Sequence, residues 1–178
     1  MNPTIDKDDT ATGALSDKVA TPAYEGASAL ANEVLSWEET KRSLRLELTG
    51  AACKPVNSLV DRLDSLIQLP PNWDSHGARA VAFNAAMNTI RLFCEVMFVS
   101  TPQPQVVPTN KGNLQLEWHQ CGIDLEIEVS NTGEVHAFFE DLTSGADPDE
   151  WTESFNFAAH KIRSYLQILT ERGVVAPS

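Results

Sequence analysis

Between Gln103 and Asp141 four apolar segments are separated by turn signals, and nothing else in the chain restricts its fold as strongly. Leu114, Leu116 and Trp118 alternate with Gln115, Glu117 and His119, and Ile123, Leu125, Ile127 and Val129 alternate with Asp124, Glu126 and Glu128. A period of two is the mark of a half-buried strand, because successive side chains leave the pleat on opposite sides. With Val106-Val107-Pro108 before these segments and Val135 to Phe139 after them, the stretch reads as a four-stranded antiparallel meander. Lys111-Gly112, Cys121-Gly122 and Asn131-Thr132-Gly133 supply its turns. One face of the sheet is apolar and the other acidic.

Helical periodicity flanks this meander. Pro55 suits a first helical turn, and Val56, Leu59, Val60, Leu63, Leu66 and Ile67 follow on one stripe that Pro70-Pro71 brings to an end. Phe83, Ala86, Met87, Ile90, Cys94 and Met97 form a second stripe. Trp151, Phe155, Ala159, Ile162, Leu166 and Leu169 form a third, with Asp149, Glu150 and Glu153 expected near its positive end and Arg172-Gly173 at its close. The fold class is therefore α+β, with helices packed on one face of the sheet. Residues 1–31 read as a disordered tail, 32–172 as a single domain that begins with a short helix running into a short strand, and 173–178 as a C-terminal tail.

The 178 residues carry 13 Lys+Arg against 25 Asp+Glu, a net charge of −12, which disfavours phosphate backbones and anionic membranes as partners. Cys53, Cys94 and Cys121 lack metal-site or disulfide-framework spacing, so reduced thiols in a cytoplasm are expected. The apolar run at Ile90 to Val99 is broken by Arg91 and Glu95 and falls far short of the ~20 residues of a membrane span. Met1 to Asp9 has the wrong charge for a signal peptide. No Gly-rich phosphate loop is present, and no cofactor is implied.

The polar face carries the functional expectation. A two-residue turn at Cys121-Gly122 sets His119 opposite Asp124 and Glu117 opposite Glu126, whereas a register one pair over sets Glu117 against Asp124. Either way carboxylates meet across the strands, and a cation, a proton or a basic partner relieves them. The preferred reading is a non-enzymatic acidic protein, of adaptor, antitoxin-like or immunity-like kind. It binds a basic protein partner through Glu117, His119, Asp124, Glu126, Glu128 and His136. The competing reading is a small metal-dependent hydrolase with Glu117, His119, Asp124, Glu126 and His136 as ligands. Strand alternation by itself produces Glu-x-Glu, and no lysine of a nuclease kind stands beside these carboxylates, so no metal ligand and no catalytic residue is assigned. In the loop Asn72 to Gly77, Asn72 and Asp74 are expected to make turns and Trp73 to plug the core, rather than Asp74, Ser75 and His76 to form a triad.

Leu69-Pro70-Pro71-Asn72-Trp73-Asp74-Ser75-His76-Gly77-Ala78, then Val106-Val107-Pro108-Thr109, then Leu114 to His119 and Gly122 to Glu128 resemble a group of small bacterial proteins. That group shares an LPxNWDxxGA, VVPT and GxxQLEWHxxGxDLEIE pattern. The resemblance spans about Leu63 to Asp141 and implies a bacterial origin, but no activity, cofactor or catalytic residue.

Overall fold

The computed structural model describes residues 54–175, so the tail over 1–31 and the helix and strand expected within 32–48 lie outside the described residues. Among the described residues, helices α1 (Lys54–Ile67) and α2 (Phe83–Val96) precede strands β1 (Gln105–Pro108), β2 (Leu114–Gln120), β3 (Ile123–Val129), β4 (Glu134–Asp141) and β5 (Asp149–Ser154). Helix α3 (Phe155–Val175) closes the domain, carrying the chain two residues past the expected end at Gly173. The strands form one five-stranded sheet in the order β1-β2-β3-β4-β5, every pair antiparallel.

Each helix buries most of the stripe that its spacing requires, while Phe83, Met87 and Phe155 are half-buried at its margins. Val56, Leu59, Val60, Leu63, Leu66 and Ile67 on α1, Ile90, Phe93 and Cys94 on α2, and Ile162, Leu166 and Leu169 on α3 are all buried. They pack in one layer against one side of the sheet, α1 over β1, α2 over β2 and β3, and α3 over β4 and β5. The facing residues are the alternate apolar ones, Leu114, Leu116 and Trp118, then Ile123, Leu125, Ile127 and Val129, then Val135 and Ala137. Trp118 is 1% exposed, and its indole N–H donates to the Pro102 carbonyl at 2.8 Å, so the largest core side chain leaves no orphaned donor. Thr101 and Thr170, both buried, bond each other at 2.7 Å, and Thr170 also donates to the Leu166 carbonyl at 2.6 Å.

The four-strand expectation is corrected by β5. Asp149, Glu150 and Glu153 lie on that strand and not at a helix N-terminus, since α3 starts at Phe155. Trp151 and Phe155 stand four residues apart, a spacing that a helix and an alternating strand running into a helix both satisfy at their apolar positions. Cross-strand contact decides between them: Trp151 pairs with Ala137 on β4, and the Phe155 N–H donates to the Gly133 carbonyl at 3.2 Å where strand gives way to helix. Asp149 is consequently aimed at α3, where it pairs with Lys161 at 2.9 Å and accepts the Tyr165 hydroxyl at 2.5 Å, while Trp151 donates to that same hydroxyl at 3.0 Å. The Tyr165 ring also stacks on Phe139 of β4 with centroids 4.1 Å apart, so one side chain of α3 meets both strands.

Candidate functional site

The two-residue turn fixes which polar side chains meet. Cys121 (φ 56) and Gly122 (φ 70) both adopt the left-handed conformation that a tight hairpin with right-twisted strands demands. At Gly122 a Cβ would also come within 2.7 Å of the Thr143 methyl. The resulting register pairs Gln115 with Glu128, Glu117 with Glu126, and His119 with Asp124, the first of the two registers the sequence allows. Strand β4 then sets Glu140 beside Asp124, Phe138 beside Glu126 and His136 beside Glu128, and β5 sets Glu150 beside Phe138. All of these residues lie on the side of the sheet opposite the three helices, because they alternate with the buried ones.

The carboxylates of this open face are held by uncharged donors and by histidine. One Gln115 amide group bridges the facing pair, donating to Glu117 Oε1 at 3.0 Å and to Glu126 Oε2 at 2.8 Å. Asn113 donates to Glu128 Oε1 at 2.8 Å, and the Thr109 hydroxyl reaches the same oxygen at 3.4 Å. His119 Nδ1 lies 2.7 Å from Asp124 Oδ1, and its Nε2 lies 3.6 Å from Glu117 Oε2. Burial alone would push the His119 imidazole down, but the Asp124 hydrogen bond and the charges of Asp124, Glu117 and Glu126 outweigh it, and the pKa is raised. His136 Nε2 lies 3.0 Å from Glu150 Oε1. The Glu117 side chain, only 16% exposed, is the most enclosed of the acids in these ion pairs along the open face.

All six residues singled out from the sequence lie on this face, but they divide into two groups. Glu117, His119, Asp124 and Glu126 form one corner, and ligating atoms of His119, Asp124 and Glu126 lie within 4.8 Å of one another. His136 lies on the other side of Glu128, paired with Glu150, and is not part of that corner. Sequence reasoning missed Gln115, Asn113, Phe138 and Glu150 as members of the face. For Gln115 and Phe138 the signal was present, since both occupy polar-face positions of the alternation; Glu150 was hidden by the misplaced start of α3.

The loop at Asn72 is a structural device. Asn72 and Ser75 both have φ 63, and the Asn72 N–H and Ala78 carbonyl close the loop at 2.7 Å. Asp74 Oδ1 accepts the backbone N–H groups of His76 at 2.8 Å and Ala78 at 3.0 Å, which hold its carboxyl below the usual range. The His76 ring bonds the Asp74 backbone carbonyl at 2.6 Å, not its carboxylate. Trp73 is corrected in one respect: it is half-buried and donates to the Arg79 carbonyl at 3.3 Å, bracing the loop, while Ala78 and Val81 enter the interior instead. Cys94 is buried as expected, and His160 is exposed on α3.

No protein-family model, no curated protein and no solved structure matches this chain. Among the described residues, no helix is long and apolar enough to cross a membrane.

Proposed function

We propose that this is a non-enzymatic recognition protein of the cytoplasm, whose open sheet face binds a basic protein. One observation carries the reading. The five described strands contain no Lys or Arg, and their side that no described element covers presents Glu117, Asp124, Glu126, Glu128, Glu140 and Glu150 around the half-buried ring of Phe138. A broad field of one sign on a rigid platform accelerates encounter with an oppositely charged partner and fixes its orientation. An aromatic ring among the carboxylates adds a place where an arginine or lysine stem can lie. Adaptor, antitoxin-like and immunity-like roles all use this chemistry. The acidic balance argues against nucleic acid as the partner.

A second reading is favoured by the convergence of His119, Asp124 and Glu126, which suits a divalent metal with imidazole and carboxylate ligands, Glu117 standing beside them as a base. One titration separates the two. Amide spectra of the full chain are followed as an arginine- and lysine-rich decapeptide is added, and separately as Zn²⁺ or Mn²⁺ is added. The recognition reading expects peptide shifts along β2, β3 and β4 that weaken with salt and are abolished by combined Glu126→Lys and Glu128→Lys. Shifts spread equally over the acidic positions of the helices would count against it. Saturable Zn²⁺ binding abolished by Glu126→Gln, with no peptide response, would put the metal reading first.

A further inference from the structure

The chain is strongly acidic, and several of its described cations are held by internal acceptors. Arg62 donates to the Val106 carbonyl at 3.1 Å, Lys161 pairs with Asp149 at 2.9 Å, Arg163 donates to the Glu95 carbonyl at 2.8 Å, and Arg172 forks onto Asp141 at 2.9 and 2.6 Å. The side chains of Arg79 and Lys111 have no such acceptor among the described residues, and they share one cleft. It has a volume of ≈ 480 Å³, and the rest of its lining is Asn110, Asn113, Ser130 and Asn131. Its walls come from the loop before α2, the β1–β2 turn and the β3–β4 turn, three segments that meet at one end of the sheet.

Backbone bonds between these segments fix the cleft and take up its carbonyls. The Arg79 N–H donates to the Asn110 carbonyl at 2.9 Å, and the Ala82 N–H donates to the Gly112 carbonyl at 2.9 Å. The contact is close enough that a Cβ at Gly112 would lie 2.6 Å from the Ala80 carbonyl oxygen. Across the cleft the Ser130 carbonyl accepts the Asn88 amide at 3.1 Å and the Gly133 N–H at 3.2 Å. The Ser130 hydroxyl already accepts the Glu134 N–H at 2.9 Å and bonds the Thr132 hydroxyl at 2.8 Å, so the cleft offers one guanidinium, one ammonium and the side-chain amides of Asn110 and Asn131. The Glu128 carboxylate is tied by Asn113 and Thr109 at 2.8 and 3.4 Å.

We propose that this cleft binds a small sugar phosphate, with Arg79 and Lys111 on the phosphate and Asn110 and Asn131 on the hydroxyls. A fork of guanidinium donors beside an ammonium point charge is the pairing that tetrahedral oxyanions recruit. A dianion meets both cations at once, which offsets the repulsion of the net negative chain better than a single carboxylate does. Amide side chains, each both donor and acceptor, match hydroxyl groups. The lining holds no aromatic or aliphatic side chain against which a nucleobase could stack, which separates this ligand class from nucleotides. The volume falls within the ~300–1,000 Å³ that small-molecule sites occupy. The inference is independent of the acidic face.

The test titrates the full chain with glucose 6-phosphate, glucose, inorganic phosphate, AMP and sodium chloride, reading the backbone and side-chain amide signals of Arg79, Asn110, Lys111 and Asn131. Glucose 6-phosphate is expected to shift them saturably, glucose and chloride at matched concentration are not, and Arg79→Gln and Lys111→Gln are each expected to weaken binding about tenfold or more. Both side chains are exposed, so unchanged circular dichroism and melting will show that the variants fold. Shifts reproduced by chloride, the absence of saturation, or affinity unaffected by both substitutions would overturn the proposal. Inorganic phosphate binding as tightly as glucose 6-phosphate would remove its sugar part, and tighter binding of AMP would replace its ligand class.

Discussion

The two faces of strands β2 and β3 are built from the same residues in alternation, yet they obey opposite rules. Toward the helices stand Leu114, Leu116, Trp118, Ile123, Leu125, Ile127 and Val129, all fully or almost fully removed from solvent. There, shape and apolar area govern, and any lost atom leaves a void. On the other side, Glu117 faces Glu126 and His119 faces Asp124. Opposed carboxylates are tolerated there because Gln115, Asn113 and His119 supply donors to them. The difference teaches that alternation alone settles which side is core, whereas the chemistry of the polar side is settled by its neighbours.

The largest expected effect breaks this comparison if it is false. Leu125→Ala should cost about 2–5 kcal/mol, since the residue is 0% exposed at the centre of the sheet. Its chain neighbour on the other face, Glu126→Gln, should change stability by no more than about 0.5 kcal/mol in either direction. Urea unfolding of both variants, read as midpoints at constant slope, checks the contrast. A Glu126→Gln cost as large as that of Leu125→Ala would mean that the open face also holds the fold together.

The same contrast explains what the sequence made legible. Period-two alternation identifies β2, β3 and β4, the first-turn proline and the stripe after it identify α1, and a two-residue turn at Cys121-Gly122 yields the His119 and Asp124 pairing. These signals are local, so they survive folding unchanged. The fifth strand was not legible, because Asp149 to Ser154 buries little and, among the described residues, pairs with β4 alone. What stabilises it is distant in the chain: Trp151 and Asp149 meeting Tyr165, and Phe155 meeting Gly133. The cleft at Arg79 and Lys111 was hidden for the same reason, since its walls come from three separate segments.

A middle-sized effect sharpens the account of the open face. Gln115 gives one amide group to two carboxylates, so Gln115→Ala leaves Glu117 and Glu126 facing each other without that donor. The expected loss is about 1–2 kcal/mol, the scale of hydrogen bonds to charged acceptors. In a Glu126→Gln background the like-charge repulsion is gone and the cost of Gln115→Ala should fall below half. A double-mutant cycle in urea measures that coupling directly. Additive costs would show that the bridge is geometric only, and that the facing carboxylates do not repel each other measurably across the strands.

The smallest effect is the pH response of His119. Its pKa is raised, so its pairing contributes stability that is complete below the unfolded value of ~6.5 and is lost as pH rises through the higher folded value. The imidazole is 47% exposed, so solvent screening keeps the contribution to that of a surface pair. Melting temperatures of wild type and His119→Gln, measured from pH 6 to pH 9, should therefore converge by about 1–3 °C as pH rises. The wild type should hold its advantage only at the acidic end. A gap that widened toward pH 9 would mean that the neutral imidazole is the form the face prefers. It would then be a passive acceptor beside Asp124, and the local charge of the corner would not be what governs the residue.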